Sequence, residues 1–126
     1  MKRWSNTVLF LATGSWFVAI WVLSSLPLQQ LPSLKIFSWD KLAHIAEYLV
    51  LAVLACRSLE AARVKRSYRA WVFLILLLSA ALDEWHQKLI PHRSVSLWDF
   101  LANAIGLALG FGINRIIHDR SSQPAA

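Results

Sequence analysis

Five of the seven acidic residues lie in three short stretches, residues 40–48, 83–87 and 99–103, which also contain other side chains able to bind polar ligands. A histidine can act as a general base near neutral pH, and a carboxyl group can orient it or act as the acid. If the protein is an enzyme, the candidate catalytic residues are therefore His44, Asp83 and Glu84. The candidate ligand-binding residues are Asp40, Lys41, Glu47, Tyr48, Gln87, Arg93, Ser96, Asp99 and Asn103.

Helical spacing would place the members of each stretch on one face of a helix. Asp99 and Asn103 are four residues apart, and the other two stretches contain the same spacing. Gly106 and Gly110 continue the stripe below Asn103 as a pair of small residues four apart. Such pairs let two helix backbones approach closely. The pattern therefore predicts that this face looks into a helical bundle.

The elements that carry these stretches have the composition of membrane helices. Hydrophobic residues make up 57% of the chain and charged residues 16%, against about 25% in soluble domains. The uncharged run from residue 4 to 34 exceeds the ~20 residues that cross a bilayer. We predict a single all-α domain that forms a four-transmembrane-helix bundle. Its helices cover about 8–26, 39–59, 70–89 and 97–117, with a polar tail at 118–126.

The helix starts and the orientation have their own signals. Ser38 can cap the second helix, and Ser96 and Asp99 have the spacing of a capping box at the fourth. Nine of the 13 basic residues fall on the side of both termini and four on the other. The positive-inside rule therefore predicts cytoplasmic termini and a multi-pass protein of the plasma membrane, with the polar stretches in one outer layer about 10 Å deep.

Each polar residue also has a purely structural interpretation. Asp40 and Asp99 could serve mainly as helix caps, Lys41 and Arg93 could extend to the interface, and Glu84 could lie among lipid head groups. The net positive charge is explained by basic residues that set the orientation in the membrane and attract anionic lipid. Nucleic acid is therefore not an expected partner. The single cysteine, at position 56, excludes an internal disulfide, and no zinc-type spacing is present.

The polar residues form four ordered motifs: Asp40-Lys41-x-x-His44 with Glu47-Tyr48, Asp83-Glu84-x-x-Gln87, Pro91-x-Arg93-x-x-Ser96-x-x-Asp99, and Asn103-x-x-Gly106-x-x-x-Gly110. Taken in order, these motifs resemble those of the VanZ-like family, small membrane proteins named for a teicoplanin-resistance factor. One departure is His92, where the family pattern would have a glycine between the proline and the arginine. The resemblance implies a cell-envelope role and lower susceptibility to lipoglycopeptide antibiotics.

Four functions fit these residues. The first is an outward-facing pocket that binds an amphiphilic or lipid-linked envelope ligand, or docks a membrane-protein partner. The second is a membrane hydrolase or transferase that acts on a lipid-linked head group at the outer leaflet. The third is a magnesium, calcium or manganese site built on His44 and the carboxylates, although no metal or cofactor is assigned. The fourth is a proton-coupled carrier.

Overall fold

The computed structural model describes residues 5–26, 37–91 and 96–121, and it describes side chains for 5–26, 41–91 and 96–118. These residues form four α-helices: α1 (Asn6–Ser25), α2 (Phe37–Ala61), α3 (Ser67–Gln87) and α4 (Leu97–Ser121). The all-α prediction is confirmed. No predicted helix boundary differs from the observed one by more than four residues. The largest difference is at α4, which continues to Ser121 through part of the predicted tail.

Serine side chains cap two of the helix starts. The Ser5 hydroxyl accepts a hydrogen bond from the Val8 N–H at 3.3 Å at the start of α1. The Ser96 hydroxyl accepts one from the Trp98 N–H at 3.1 Å at the start of α4. A capping serine satisfies an N–H that the helix itself leaves unpaired, so capping by Ser96 is confirmed, although its hydroxyl bonds the N–H of Trp98 and not that of Asp99, as a capping box would have it. The predicted cap at Ser38 is wrong, because α2 already begins at Phe37.

The turn between α2 and α3 closes the end of α2 with backbone hydrogen bonds. The Val64 N–H bonds the Leu59 carbonyl at 2.9 Å, and the Arg63 N–H bonds the Glu60 carbonyl at 3.0 Å. This is the Schellman pattern, which needs a residue in the left-handed region at its turning point. Arg63 occupies that point, with φ of 54°.

The helices are arranged as a ring in the order α1, α2, α4, α3. The closest packing is between α2 and α4, α1 contacts α2 and α3, and α3 contacts α4. A Cβ added to Gly106 would overlap the Ile45 carbonyl oxygen, and one added to Gly110 would overlap the Ala52 side chain. The prediction that the glycine stripe faces into the bundle is therefore confirmed, and its partner is α2.

Three of the helices are long and apolar enough to cross a membrane: α1, the Lys41–Ala61 part of α2 and the Leu97–His118 part of α4. Large apolar side chains such as Leu11, Trp71 and Leu97 point outward and are exposed, as expected of surfaces that meet lipid. Polar residues at both ends of α3 lower its hydropathy, so it does not join these three, and a fourth span stays a prediction.

Candidate functional site

Polar side chains from all four helices form hydrogen bonds with their neighbours at one end of the bundle, and most of them are buried, while Lys41 and His44 are partly exposed. The end of α1, the start of α2, the end of α3 and the start of α4 meet there, because consecutive helices run in opposite directions. We call this set the polar network. It consists of Ser24, Lys41, His44, Asp83, Glu84, Gln87, Asp99 and Asn103.

Asn103 joins α2 to α3 from its position on α4. Its Nδ2 donates to Glu84 Oε1 at 3.1 Å, and its Oδ1 lies 2.9 Å from His44 Nδ1. Because an amide oxygen can only accept, His44 must carry a proton on Nδ1. A neutral His44 then has its basic lone pair on Nε2. The fully buried asparagine thus fixes the tautomer of the candidate base.

Asp83 forms the link to α1. The Ser24 hydroxyl donates to Asp83 Oδ1, and the Gln87 amide donates to Asp83 Oδ2 at 3.3 Å. All three side chains are buried. Both oxygens of this carboxylate are therefore satisfied by neighbouring side chains, which suits a structural role at the junction of α1 and α3.

An ion pair joins the starts of α2 and α4 next to these groups. The Lys41 ammonium bonds Asp99 Oδ1, with 21% of the lysine side chain and 10% of the aspartate side chain exposed. Asp99 is thus paired across the helix interface, although it also lies in the first turn of α4. The structural interpretation of Lys41, in which its side chain extends to the membrane interface, is therefore wrong, because the side chain pairs with Asp99.

Glu84 is the member whose hydrogen bonding is incomplete. The residue is 4% exposed, so its interpretation as a head-group residue is wrong. Its Oε1 accepts from Asn103, but its buried Oε2 has no hydrogen-bond partner in the part of the chain that is described. A buried oxygen without a donor costs about 1–3 kcal/mol, and more if it is charged. This oxygen therefore calls for a donor from a ligand, a water or a residue outside the described ranges.

Helix α1 takes part in this site, which its sequence did not predict. Besides the bond from Ser24 to Asp83, Ser25 Oγ lies 3.3 Å from His86 Nε2. The Trp21 ring stacks on His86 with centroids 5.8 Å apart and an interplanar angle of 30°. Serine and tryptophan are common in membrane helices as packing residues, so their spacing alone did not single them out. His86, which received no role from the sequence, lies beside the network.

The structure places three further predicted site residues, Tyr48, Glu47 and Ser96, in other contacts. Tyr48 is buried in the core cluster with Leu51 and Leu107. The backbone carbonyl of Glu47 accepts from Trp16 Nε1 at 2.9 Å, and Ser96 caps α4. The Asp40 side chain and all of Arg93 lie outside the described residues.

Imidazole and carboxylate groups such as those of the polar network can also bind a metal ion. Within the described ranges, no group of three or more histidine, cysteine, aspartate or glutamate side chains is placed to hold a metal ion. His44 Nδ1 bonds Asn103, and Asp83 bonds Ser24 and Gln87, so these groups already bond protein partners. The described geometry is that of a hydrogen-bonded network.

Comparison with known proteins identifies a family. A family model described as VanZ/LLP1 matches residues 3–118 of the chain. No curated protein and no solved structure matches it. The match is longer than the 40–110 region on which the sequence resemblance depends, and it includes α1. Every member of the polar network lies within the matched residues.

Proposed function

This chain belongs to the VanZ/LLP1 family, and on that premise we propose that its polar network binds the head group of an amphiphilic or lipid-linked ligand of the cell envelope. In this proposal the protein spans the plasma membrane several times with cytoplasmic termini. The network then lies toward the outer leaflet, where envelope precursors and lipoglycopeptides are present.

The observation that carries the proposal is the incomplete hydrogen bonding of buried Glu84. Ionisable groups inside membrane proteins are costly and usually mark function. A carboxylate oxygen in this position would accept a hydrogen bond from a hydroxyl or amide of a sugar or peptide head group. Such charge-assisted bonds are shorter and stronger than bonds between neutral groups.

The pair formed by Lys41 and Asp99 supplies the second recognition element. Lys41 is partly exposed and Asp99 lies behind it with 10% of its side chain exposed, whereas Asn103 is fully buried. A ligand that approaches from this end would meet the ion pair before it reached Glu84. The ammonium suits a phosphate or carboxylate on the ligand, so the expected head group carries both an anion and hydrogen-bond donors.

A membrane enzyme is the alternative, and the tautomer of His44 favours it. With Nδ1 held by Asn103, Nε2 is the nitrogen that would accept a proton from an attacking water or hydroxyl. Glu84 would then bind or protonate the leaving group of a lipid-linked substrate. This hydrolase or transferase would use the same pocket, so only turnover distinguishes it from a binding protein.

The test is binding of two probes, teicoplanin and a polyprenyl-diphosphate-linked saccharide, to purified protein in non-ionic detergent. Glu84→Gln preserves the size of the side chain and removes its charge. We expect this variant to weaken binding of the ligand by about 10- to 100-fold, the value of a hydrogen bond to a charged group. The matched control is Glu60→Gln, which removes a carboxylate from the opposite end of α2.

The outcomes separate the two functions. Loss of binding in both Glu84→Gln and His44→Gln supports the binding protein, whereas intact binding with loss of product supports the enzyme. If Glu84→Gln binds both probes like the unchanged protein and also forms as much product, the network is structural. The resistance link is tested separately: expression should raise the inhibitory concentration of teicoplanin, and Glu84→Gln should abolish the increase.

A further inference from the structure

A second charged cluster lies at the opposite end of the bundle from the polar network. Two arginines at the start of α3 and one near the end of α4 line a cavity of about 490 Å³, whose wall is otherwise mostly apolar. A volume of this size is within the range of ~300–1,000 Å³ typical of small-molecule sites. We call it the arginine cavity, after Arg66, Arg69 and Arg115, with Phe73, Leu74 and Phe111 in its wall.

Arg69 is held in place and has a donor left over. Its Nη2 lies 3.5 Å from Glu60 Oε1 on α2, and its Nη1 donates to Asn114 Oδ1 on α4 at 3.4 Å. The side chain is 17% exposed. Its buried Nε has no hydrogen-bond partner within the residues described. Because unpaired buried donors are rare and costly, the guanidinium of this cavity-lining residue has hydrogen-bonding capacity that the described residues do not use.

The apolar wall limits the kind of anion that fits. Phe73 and Phe111 pack edge to face with centroids 5.3 Å apart, and Leu74 is half exposed on the outer surface of α3. The cavity is therefore open beside a surface that would meet lipid tails. A small hydrated anion would leave this wall uncovered, whereas an acyl chain would cover it.

The position along the bundle agrees with an interfacial ligand. Tyr68 and Trp71 lie in the first turns of α3, beside the cavity, and both are exposed. Aromatic residues of this kind concentrate at membrane–water interfaces. The start of α3 also places the positive end of the helix dipole near the arginines, which favours a phosphate there.

We propose that the arginine cavity binds an acidic phospholipid. The three arginines would bind its phosphate, and an acyl chain would pack against Phe73, Leu74 and Phe111. The guanidinium groups match phosphate oxygens in geometry as well as in charge. This site is independent of the function proposed for the polar network, because the two lie at opposite ends of the bundle.

The experiment is a titration of the full chain, purified in non-ionic detergent, with phosphatidylglycerol or phosphatidylcholine. Native mass spectrometry counts the bound lipid. We expect phosphatidylglycerol to bind more tightly, and Arg66→Gln with Arg115→Gln to weaken it on the order of tenfold. Gly112→Leu should weaken it too, because Gly112 lines the cavity with open space around it, so the new side chain fills the site without changing charge.

The matched control is Arg57→Gln with Lys65→Gln, which removes two charges from exposed positions at the same end and outside the cavity wall. Retained phosphatidylglycerol affinity in this control supports the site. An equal loss in the control, equal binding of phosphatidylcholine, or full displacement by inorganic phosphate would overturn it. If the arginine variant does not fold, Gly112→Leu decides the question, and binding like that of the unchanged protein overturns the proposal.

Discussion

Asn103 shows why the type of a single residue matters in the polar network. An amide has a donor and an acceptor on one planar group, and here the donor faces Glu84 while the acceptor faces His44. An aspartate would place a second carboxylate against Glu84, and an apolar residue would leave both neighbours without this bond. Only an amide serves the carboxylate and the imidazole at once, with His44 held in one tautomer.

This dependence makes Asn103→Ala a test of how the network contributes to stability. The change removes two hydrogen bonds, one to buried Glu84 and one to half-buried His44, so we expect it to lower the free energy of unfolding by about 2–4 kcal/mol. Denaturant unfolding in detergent, followed by circular dichroism, measures the loss. Asn6→Ala, at the exposed start of α1, is the control and should change stability little. Equal stabilities would mean that the bonds of Asn103 contribute nothing to stability.

At the scale of the helices, their positions could be predicted from the sequence, but the contacts between them could not. Uncharged runs bounded by basic clusters predicted where the helices lie in the chain. The four-residue spacing of Gly106 and Gly110 predicted the face that packs into the bundle. Nothing in the spacing paired Asn103 with both His44 and Glu84, because those contacts depend on the rotation of α2, α3 and α4 about their axes. The part that α1 plays could not be predicted from spacing either. Ser24 belongs to the network because α1 packs on α3 at the depth of Asp83.

The contact between α2 and α4 yields a prediction about glycine. A Cβ at Gly106 would overlap backbone atoms of α2, which cannot move as a flexible side chain could. Gly106→Ala should therefore cost about 1–3 kcal/mol, the usual penalty for overpacking. Gly112→Ala is the matched control in the same helix. Because its Cβ would have open space, the better helix propensity of alanine should stabilise by about 0.5–1 kcal/mol.

Thermal unfolding of both alanine variants in one detergent provides the comparison. Opposite shifts of the melting temperature are expected, downward for Gly106→Ala and upward for Gly112→Ala. If both variants shift upward, the helices can separate at no cost, and the close approach of α2 and α4 is not needed for stability.

The turn after α2 carries a second prediction at this scale. Arg63 has φ of 54°, a left-handed conformation that costs a residue with a Cβ about 1–2 kcal/mol. Arg63→Gly should relieve this strain, offset in part by the greater freedom of glycine in the unfolded chain, for a net gain of about 0.5–1 kcal/mol. Arg63→Ala removes the same charge but keeps the Cβ, so it should bring no such gain. Equal gains in both variants would assign the effect to charge.

At the scale of the whole molecule, the two ends of the bundle have opposite electrostatic character. The polar network contains the carboxyl groups of Asp83, Glu84 and Asp99 against the one ammonium of Lys41, whereas the arginine cavity has three guanidinium groups. If the helices cross a membrane, each leaflet meets a different end. The arginine end would face anionic lipids of the cytoplasmic leaflet, and the network would face the envelope.

The orientation itself is open to a direct test with two exposed lysines. Lys65 lies in the turn between α2 and α3, and Lys88 follows the end of α3. In a Cys56→Ala background, which removes the buried native thiol, each lysine is replaced by cysteine in turn. A membrane-impermeant maleimide applied to intact cells should label Lys88→Cys and not Lys65→Cys, and lysis should expose the second thiol. Labelling only of Lys65→Cys would invert the topology and place the polar network inside. Labelling of both thiols in intact cells would mean that α3 does not cross the membrane.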